Sequence, residues 1–360
     1  MTPTTPSLDS KTKELGASID AELEGFLRVQ RAQLEQLEPS SVTMVDDLID
    51  LSLSGGKRIR PILCCLSYEA AGGGSSGILR VAASLELLHV FALIHDDFMD
   101  EAGLRRGRPT VSRLAEDRYG ASSRPGIGGA VAVLTGDLAF VLSDRLYFES
   151  GMSELLSGIR YLNDMRLAAI AGQFADLTYS GLPTRDQAGR IARLKTAHYS
   201  VSGPLLLGAA LAGAHEDALQ LLRQAGETLG EAFQLGDDLT DAFGDPAFTG
   251  KEAAADLRSA KPTLLLVEAL SLADEMGRES ISRTLGRSDA SPQQIREALA
   301  AISASGAVEV VEGRIKELTI EGTRLLDRAC AMLDGDSEKL IEFARSWVEK
   351  EEGRHGRPSS

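Results

Sequence analysis

The chain has 360 residues, 43% of them hydrophobic and only 5% aromatic, ample for a large buried core. A formal net charge of -15 argues against nucleic acid as a partner, because a phosphate backbone needs a basic surface. Three cysteines, Cys64, Cys65 and Cys330, cannot make a disulfide framework; two are neighbours on an apolar segment, so buried free thiols in a reducing, cytoplasmic compartment are expected.

Residues 1–12 are polar and rich in Pro, Thr and Ser at their start, without the apolar core of a signal peptide, and read as a disordered tail. Residues 353–360 read the same way, which leaves 13–352 as one domain. Strand signals are scarce, and apolar residues recur at three-and-four spacing, as in Ile191, Leu194, Lys195 and His198. That pattern predicts an all-α, single-domain bundle. No apolar run is read as a membrane span, since Gly128–Leu142 and Val201–Ala214 are short and interrupted.

In chain order, Gly55-Gly56-Lys57-Arg58-Ile59-Arg60-Pro61 sets two glycines before three cations. Glycine lets backbone amides approach a ligand closely, and arginine offers a planar fork to phosphate oxygens. Gly72–Gly77 is a turn between helices, followed by an apolar helix carrying Leu85, Leu88, His89, Phe91 and Ala92. That helix runs into Asp96-Asp97-Phe98-Met99-Asp100. Leu104-Arg105-Arg106-Gly107-Arg108-Pro109-Thr110 is a second basic turn, and Ala121–Gly129 a flexible connection. Gly136-Asp137, Gly172-Gln173 with Asp176, and Lys195-Thr196 follow. A second apolar helix with Leu229, Ala232, Phe233 and Gln234 runs into Asp237-Asp238-Leu239-Thr240-Asp241. Ala242–Pro262, rich in charge and holding Lys251 and Lys261, is the connection that reads as a lid. Residues 290–350 have helical periodicity and no evident chemistry.

The two Asp-Asp-x-x-Asp triplets carry the functional reading. On a helix, residues four apart share a face, so Asp96 projects with Asp100 and Asp237 with Asp241. Aspartate is a poor interior helix former and like charges at that spacing repel, so each triplet costs stability that a bound cation would offset. Magnesium suits the role: it takes oxygen ligands, keeps waters and bridges carboxylates to phosphates. One acidic triplet reads as a solvated helix end; two, each on an apolar helix and flanked by basic turns, point to a diphosphate held through metal. Both are expected on facing helices.

With these motifs in this order, the chain resembles the polyprenyl (trans-isoprenyl) diphosphate synthase family over roughly residues 20 to 345. The resemblance implies an isoprenoid-synthase-type bundle around a deep central cavity, working as a homodimer with three magnesium ions per site. It implies a reaction in which an allylic diphosphate ionises and the double bond of isopentenyl diphosphate captures the cation. Asp96, Asp97, Asp100, Asp237, Asp238 and Asp241 would then bind the metals. Arg105, Lys195, Lys251 and Lys261 would hold the allylic diphosphate. Gly56, Lys57, Arg60, His89 and Arg106 would hold isopentenyl diphosphate. Thr196 and Gln234, with Lys195, match positions lining the reacting centre. His95, Asp137, Gln173 and Asp176 are read as supporting residues. Chain length is assigned by resemblance to Phe91 and Ala92, five and four residues before the first aspartate. One aromatic there, with no insertion in the triplet, resembles geranylgeranyl diphosphate synthases. Farnesyl or longer polyprenyl products are the alternatives, and a terpene cyclase or a non-catalytic synthase subunit are the rivals.

Overall fold

Helix follows helix along nearly the whole chain, joined by glycine and proline turns. The structure, a computed structural model, describes residues 7–105, 107–120, 125–179, 182, 184–244, 254–287 and 289–352. The described residues form two compact units: 1–160 with 204–215 and 333–340, and 161–203 with 216–332 and 341–360. The all-α expectation holds, the only strand pair among the described residues being two residues on each side.

In the first unit α1 is Leu8–Leu37, α2 Val42–Leu53, α3 Ile59–Ala70, α4 Ile78–Met99, α5 Val111–Tyr119 and α6 Ile127–Phe148. The hydroxyl of Ser7 accepts from the Ser10 amide and starts α1, so residues 8–12, assigned by composition to the tail, are helical. Residues 1–6 and 353–360 lie outside the described residues. Gly126, at φ +80°, precedes α6, which takes in the last three residues of the connection read as flexible.

α4 and α6 are the core pair of this unit. The buried face of α6 is small, with Gly128, Ala132, Gly136, Ala139 and Ser143 inside. A Cβ at Gly136 would lie 2.2 Å from His95 Nε2, and one at Gly129 would lie 2.4 Å from Phe98. Glycine there is a condition of the close packing that fixes the end of α4. Both helices are 22 residues long and apolar enough to cross a membrane, contrary to the sequence expectation. A helix enclosed by protein on several sides is as apolar as a span, and α4 is mostly buried within the fold.

The second unit holds most of α7 (Leu155–Thr178), then α8 (Arg185–Ala192), a π-helix over Arg193–Ser202, and α10 (Glu216–Phe243), with α9 (Gly203–Leu211) preceding α10 in the chain. It also holds helices Ala255–Arg258, Leu264–Leu272, Glu275–Thr284, Pro292–Ala304 and Ala307–Cys330 and most of Glu338–Glu352. α10 packs chiefly on Ala307–Cys330 and on the π-helix. Its glycines make that possible: a Cβ at Gly230 would lie 2.4 Å from Ala197 Cα, and one at Gly226 would lie 2.5 Å from Ser202 Cα.

The three-and-four spacing over 191–198 predicts an ordinary helix, but Arg193–Ser202 is wound wider. Gly203 N–H accordingly donates to the His198 carbonyl, five residues back. π-turns are rare and concentrate at functional sites; this one carries Lys195 and Thr196.

Candidate active site

Both aspartate triplets close their helices. Asp96 and Asp97 lie in the last turn of α4 and Asp100 is its C-cap, while Asp237, Asp238 and Asp241 lie in the last two turns of α10. Neither last turn contains a basic residue. A helix C-terminus carries partial negative charge, so carboxylates there add to an unfavourable potential and favour a cation.

The six aspartates are not equivalent. In each triplet the middle one is buried, Asp97 at 3% exposure and Asp238 at 6%. Asp100 and Asp237 are exposed, and Asp96 and Asp241 half-exposed.

Asp97 is held by Arg105, whose Nε donates to Oδ1 at 2.7 Å and whose Nη2 donates to the same oxygen. Arg105 Nη2 also lies 3.7 Å from Asp96. The basic turn delivers this arginine by folding into a small antiparallel hairpin, Leu104–Arg105 against Arg108–Pro109, closed by Gly107 at φ +73°. Thr110 then donates to the Ala102 carbonyl at 2.9 Å and caps α5. Burial pushes the Asp97 carboxyl above its ordinary range, with Asp96 and Asp100 adding to the effect and Arg105 opposing it. Arg106 lies outside the described residues.

The basic loop before α3 is built around Arg58, which sequence alone did not separate from its neighbours. Arg58 is buried, at φ +49°. Its Nε donates to Asp20 at 2.7 Å, Nη1 to Glu86 at 2.7 Å and Nη2 to the Ser52 carbonyl at 2.6 Å. Glu86 belongs to α4, ten residues before Asp96, so this buried pair ties the loop to the triplet helix. Lys57 is left exposed and Arg60 half-buried, with His89 half-buried on α4.

Phe91 meets Phe140 of α6 edge-to-face at 5.0 Å between ring centroids, and His95 at 4.8 Å. His95 Nε2 lies 3.2 Å from the Val133 carbonyl and 3.8 Å from Asp137. The Gly136-Asp137 motif is therefore the seat of His95. Ala92 shares the face of Asp96, one turn earlier. Phe140 had no signal in the sequence beyond its apolar position.

In the second unit, Lys195 Nζ donates to Asp176 at 2.6 Å. Gly172, one turn before Asp176, lets Lys195 pass: a Cβ there would be 2.7 Å from Lys195 Cγ. Thr196 donates to Gln234 Oε1, and Gln234 Nε2 donates to Asp238 Oδ1 at 2.7 Å.

Asp256 is a fourth acid near the second triplet, missed within the charged connection. Its N–H donates to Asp241 Oδ2 at 3.0 Å and its carboxylate lies 3.7 Å from Lys261 Nζ. It sits on the short helix Ala255–Arg258, flanked by Ala254 and Ala260 at φ +54° and +55°. Left-handed alanines cost about 1 kcal/mol each and concentrate at ligand sites. Asp238, Asp241, Asp256 and Lys261 line a cavity of about 20 Å³, the space of one water. Burial pushes the Asp238 carboxyl well above its ordinary range, and Asp256 raises it further. Lys251, and 245–253 with it, lie outside the described residues.

Among the described residues no three His, Cys, Asp or Glu side chains converge as a metal centre. The flanking carboxylates instead supply hard oxygen donors at the helix ends, which fits an ion that keeps its waters and shares phosphate oxygens.

The family model described as polyprenyl synthetase matches residues 42–302. The chain belongs to the polyprenyl synthetase family. This synthetase is 31% identical over 282 residues to the short chain isoprenyl diphosphate synthase of Methanothermobacter thermautotrophicus, covering 78% of this chain and 82% of that one. It is 30% identical over 252 residues to the geranylgeranyl diphosphate synthase of Sulfolobus acidocaldarius, covering 68% and 72%. The crystal structure of geranylgeranyl pyrophosphate synthase from Corynebacterium glutamicum, complexed with isoprenyl diphosphate and magnesium, superposes with a TM-score of 0.88 at 33% identity, covering 95% of this chain and 99% of that one. The synthetase is thus a trans-prenyltransferase with the all-helical fold of that enzyme.

Proposed function

We propose that this synthetase condenses an allylic diphosphate with isopentenyl diphosphate and releases geranylgeranyl diphosphate. The observation that carries the reading is the repeated arrangement of the triplets, the middle carboxylate of each buried and the flanking ones half-exposed or exposed, at the negative ends of two apolar helices. The flanking set Asp96, Asp100, Asp237 and Asp241 would hold the magnesium ions, three per site by resemblance; when bound, they neutralise the charge that grows on a departing diphosphate.

The chain's own residues do the rest. Arg105, Lys195 and Lys261, with Lys251 by resemblance, bind the allylic diphosphate and stabilise it as the carbon–oxygen bond breaks. Lys57, Arg60 and His89, with Gly56 and Arg106 by resemblance, bind isopentenyl diphosphate and orient its double bond toward the cation. Thr196 and Gln234 present dipoles to that cation. A carbon–carbon bond forms, a proton is lost, and the product is five carbons longer. Phe91, backed by Phe140, blocks further growth of the tail.

The exposed faces of two helices favour a second copy as partner. Leu134, Val141 and Phe148 of α6 recur every seven residues at 58%, 59% and 54% exposure. On α7, Leu167, Ile170, Phe174 and Leu177 recur at three-and-four spacing, the pattern of a helix-packing seam. We place the enzyme in a reducing cytoplasm, where the three buried cysteines remain thiols.

The test is direct: incubate the chain with magnesium, farnesyl diphosphate and labelled isopentenyl diphosphate, and resolve products by length. Twenty-carbon diphosphate is expected. Cyclised hydrocarbon or unchanged substrates would refute the reading.

A further inference from the structure

Gly230, Gln234 and Asp238 lie four apart on one face of α10. Ala197 of the π-helix sits against Gly230, so Thr196 beside it is held over Gln234. The result is a partly buried chain of hydrogen bonds: Thr196 Oγ1 donates to Gln234 Oε1, and Gln234 Nε2 donates to Asp238 Oδ1 at 2.7 Å.

We infer that Asp238 is a positioning residue, which acts through Gln234 to turn the lone pairs of the Thr196 hydroxyl, and not its proton, toward the reacting carbon. The inference rests on the prenyl-transfer reading. An amide has a donor end and an acceptor end of nearly the same shape, so packing alone does not choose between its two orientations. As a carboxylate, Asp238 accepts and does not donate; the hydrogen bond it accepts from Gln234 Nε2 favours that ionised form against the burial that raises its pKa. Oε1 must then face Thr196. Because a carbonyl oxygen has no proton to give, the threonine hydroxyl donates its own to Oε1. Its remaining electron density is free for a cation, where an outward O–H would repel it. Asp238 thereby reaches the reacting centre through two side chains, and its burial is part of the device. Asp97 has no such path, since its partner is a guanidinium.

The experiment is a double-mutant cycle of Asp238→Asn and Thr196→Val, measured on the full chain with magnesium, farnesyl diphosphate and isopentenyl diphosphate. Asparagine keeps the shape of aspartate and offers both a donor and an acceptor, which removes the selection. Each single variant should lower kcat on the order of 10–100-fold. KM for both substrates and the half-saturating magnesium concentration should stay within about twofold, since no binding contact is removed. The double variant should be no slower than Thr196→Val alone, because both substitutions break one chain. Thr196→Ser, which keeps the hydroxyl, should restore most of the loss.

Full additivity would overturn the inference, as would a rise of about tenfold in half-saturating magnesium, the signature of a lost metal ligand. If Asp238→Asn does not fold, Gln234→Leu replaces it in the cycle, with the same two outcomes deciding. An unmutated chain that elongates nothing would refute the prenyl-transfer reading itself, a result distinct from additivity.

Discussion

The ends of α4 and α10 carry the same five-residue pattern in two different electrostatic settings. At the end of α4 the buried aspartate meets a guanidinium swung in by a hairpin, and a second buried pair, Arg58 with Glu86, ties the neighbouring basic loop to the same helix. At the end of α10 the buried aspartate meets an amide among the described residues, with the further carboxylate of Asp256 raising its cost. The first region is braced by ion pairs within the protein. The second gathers a further carboxylate, Asp256, beside the buried Asp238 and depends more on what binds. A motif thus fixes which atoms face outward, while the partner of its middle residue decides what that residue does.

The largest effect should come from what the regions share. Asp96→Ala and Asp237→Ala should each lower kcat/KM on the order of 10³-fold or more, about 4 kcal/mol of transition-state stabilisation. Steady-state kinetics at saturating magnesium measure this, and a large asymmetry between the two would break the parallel.

The bracing of the first region comes next. Arg58 and Glu86 side chains are each 5% exposed, and removing one partner of such a pair leaves an uncompensated buried charge, at about 3–5 kcal/mol. Arg58→Met should lower unfolding free energy by that amount in denaturant titration. Adding Glu86→Met should recover part of it, because the stranded charge is gone. A loss under about 1 kcal/mol would remove the bracing.

Product length should respond in the first region alone. Phe91→Ala opens the contact with Phe140 and should give products of twenty-five carbons or more, while the rate of the first condensation changes little. Thr196→Val should slow the reaction without altering length. Chromatography of the products separates the two.

The smallest effect is the pH dependence of the metal-free protein. Asp97 and Asp238 both have folded pKa values raised by burial, so the folded chain holds more protons than the unfolded one. Their contribution to stability is fully present below the ordinary carboxylate pKa and is lost as pH rises through the folded values. The melting temperature without divalent cation should therefore fall along that rise. Asp238→Asn should flatten the fall more than Asp97→Asn, because Arg105 already offsets part of the cost at Asp97.

The helices and both triplets were legible in the sequence, because apolar periodicity and carboxylate spacing are local properties. What was hidden depends on burial and on distant partners. Lys57, Arg58 and Arg60 look alike as letters, and only the fold shows that the middle one points inward to Asp20 and Glu86. Asp256 looked like loop charge until the short helix brought its amide to Asp241. The widened turn at Arg193–Ser202 packs into glycine notches on α10, more than twenty residues away in the chain. The apolar length of α4, which passes for a membrane span, reflects enclosure by protein, whereas α6 keeps an exposed apolar face. Residues 8–12 seemed too polar to fold, yet the Ser7 cap and the length of α1 carry them into a helix.

The most direct test of the account is a crystal structure with magnesium and a non-ionisable allylic thiodiphosphate. Magnesium is predicted at about 2.0–2.1 Å from carboxylate oxygens of the flanking set Asp96, Asp100, Asp237 and Asp241, with Asp97 still on Arg105 and Asp238 still on Gln234. Magnesium bonded to Asp97 or Asp238 would contradict it.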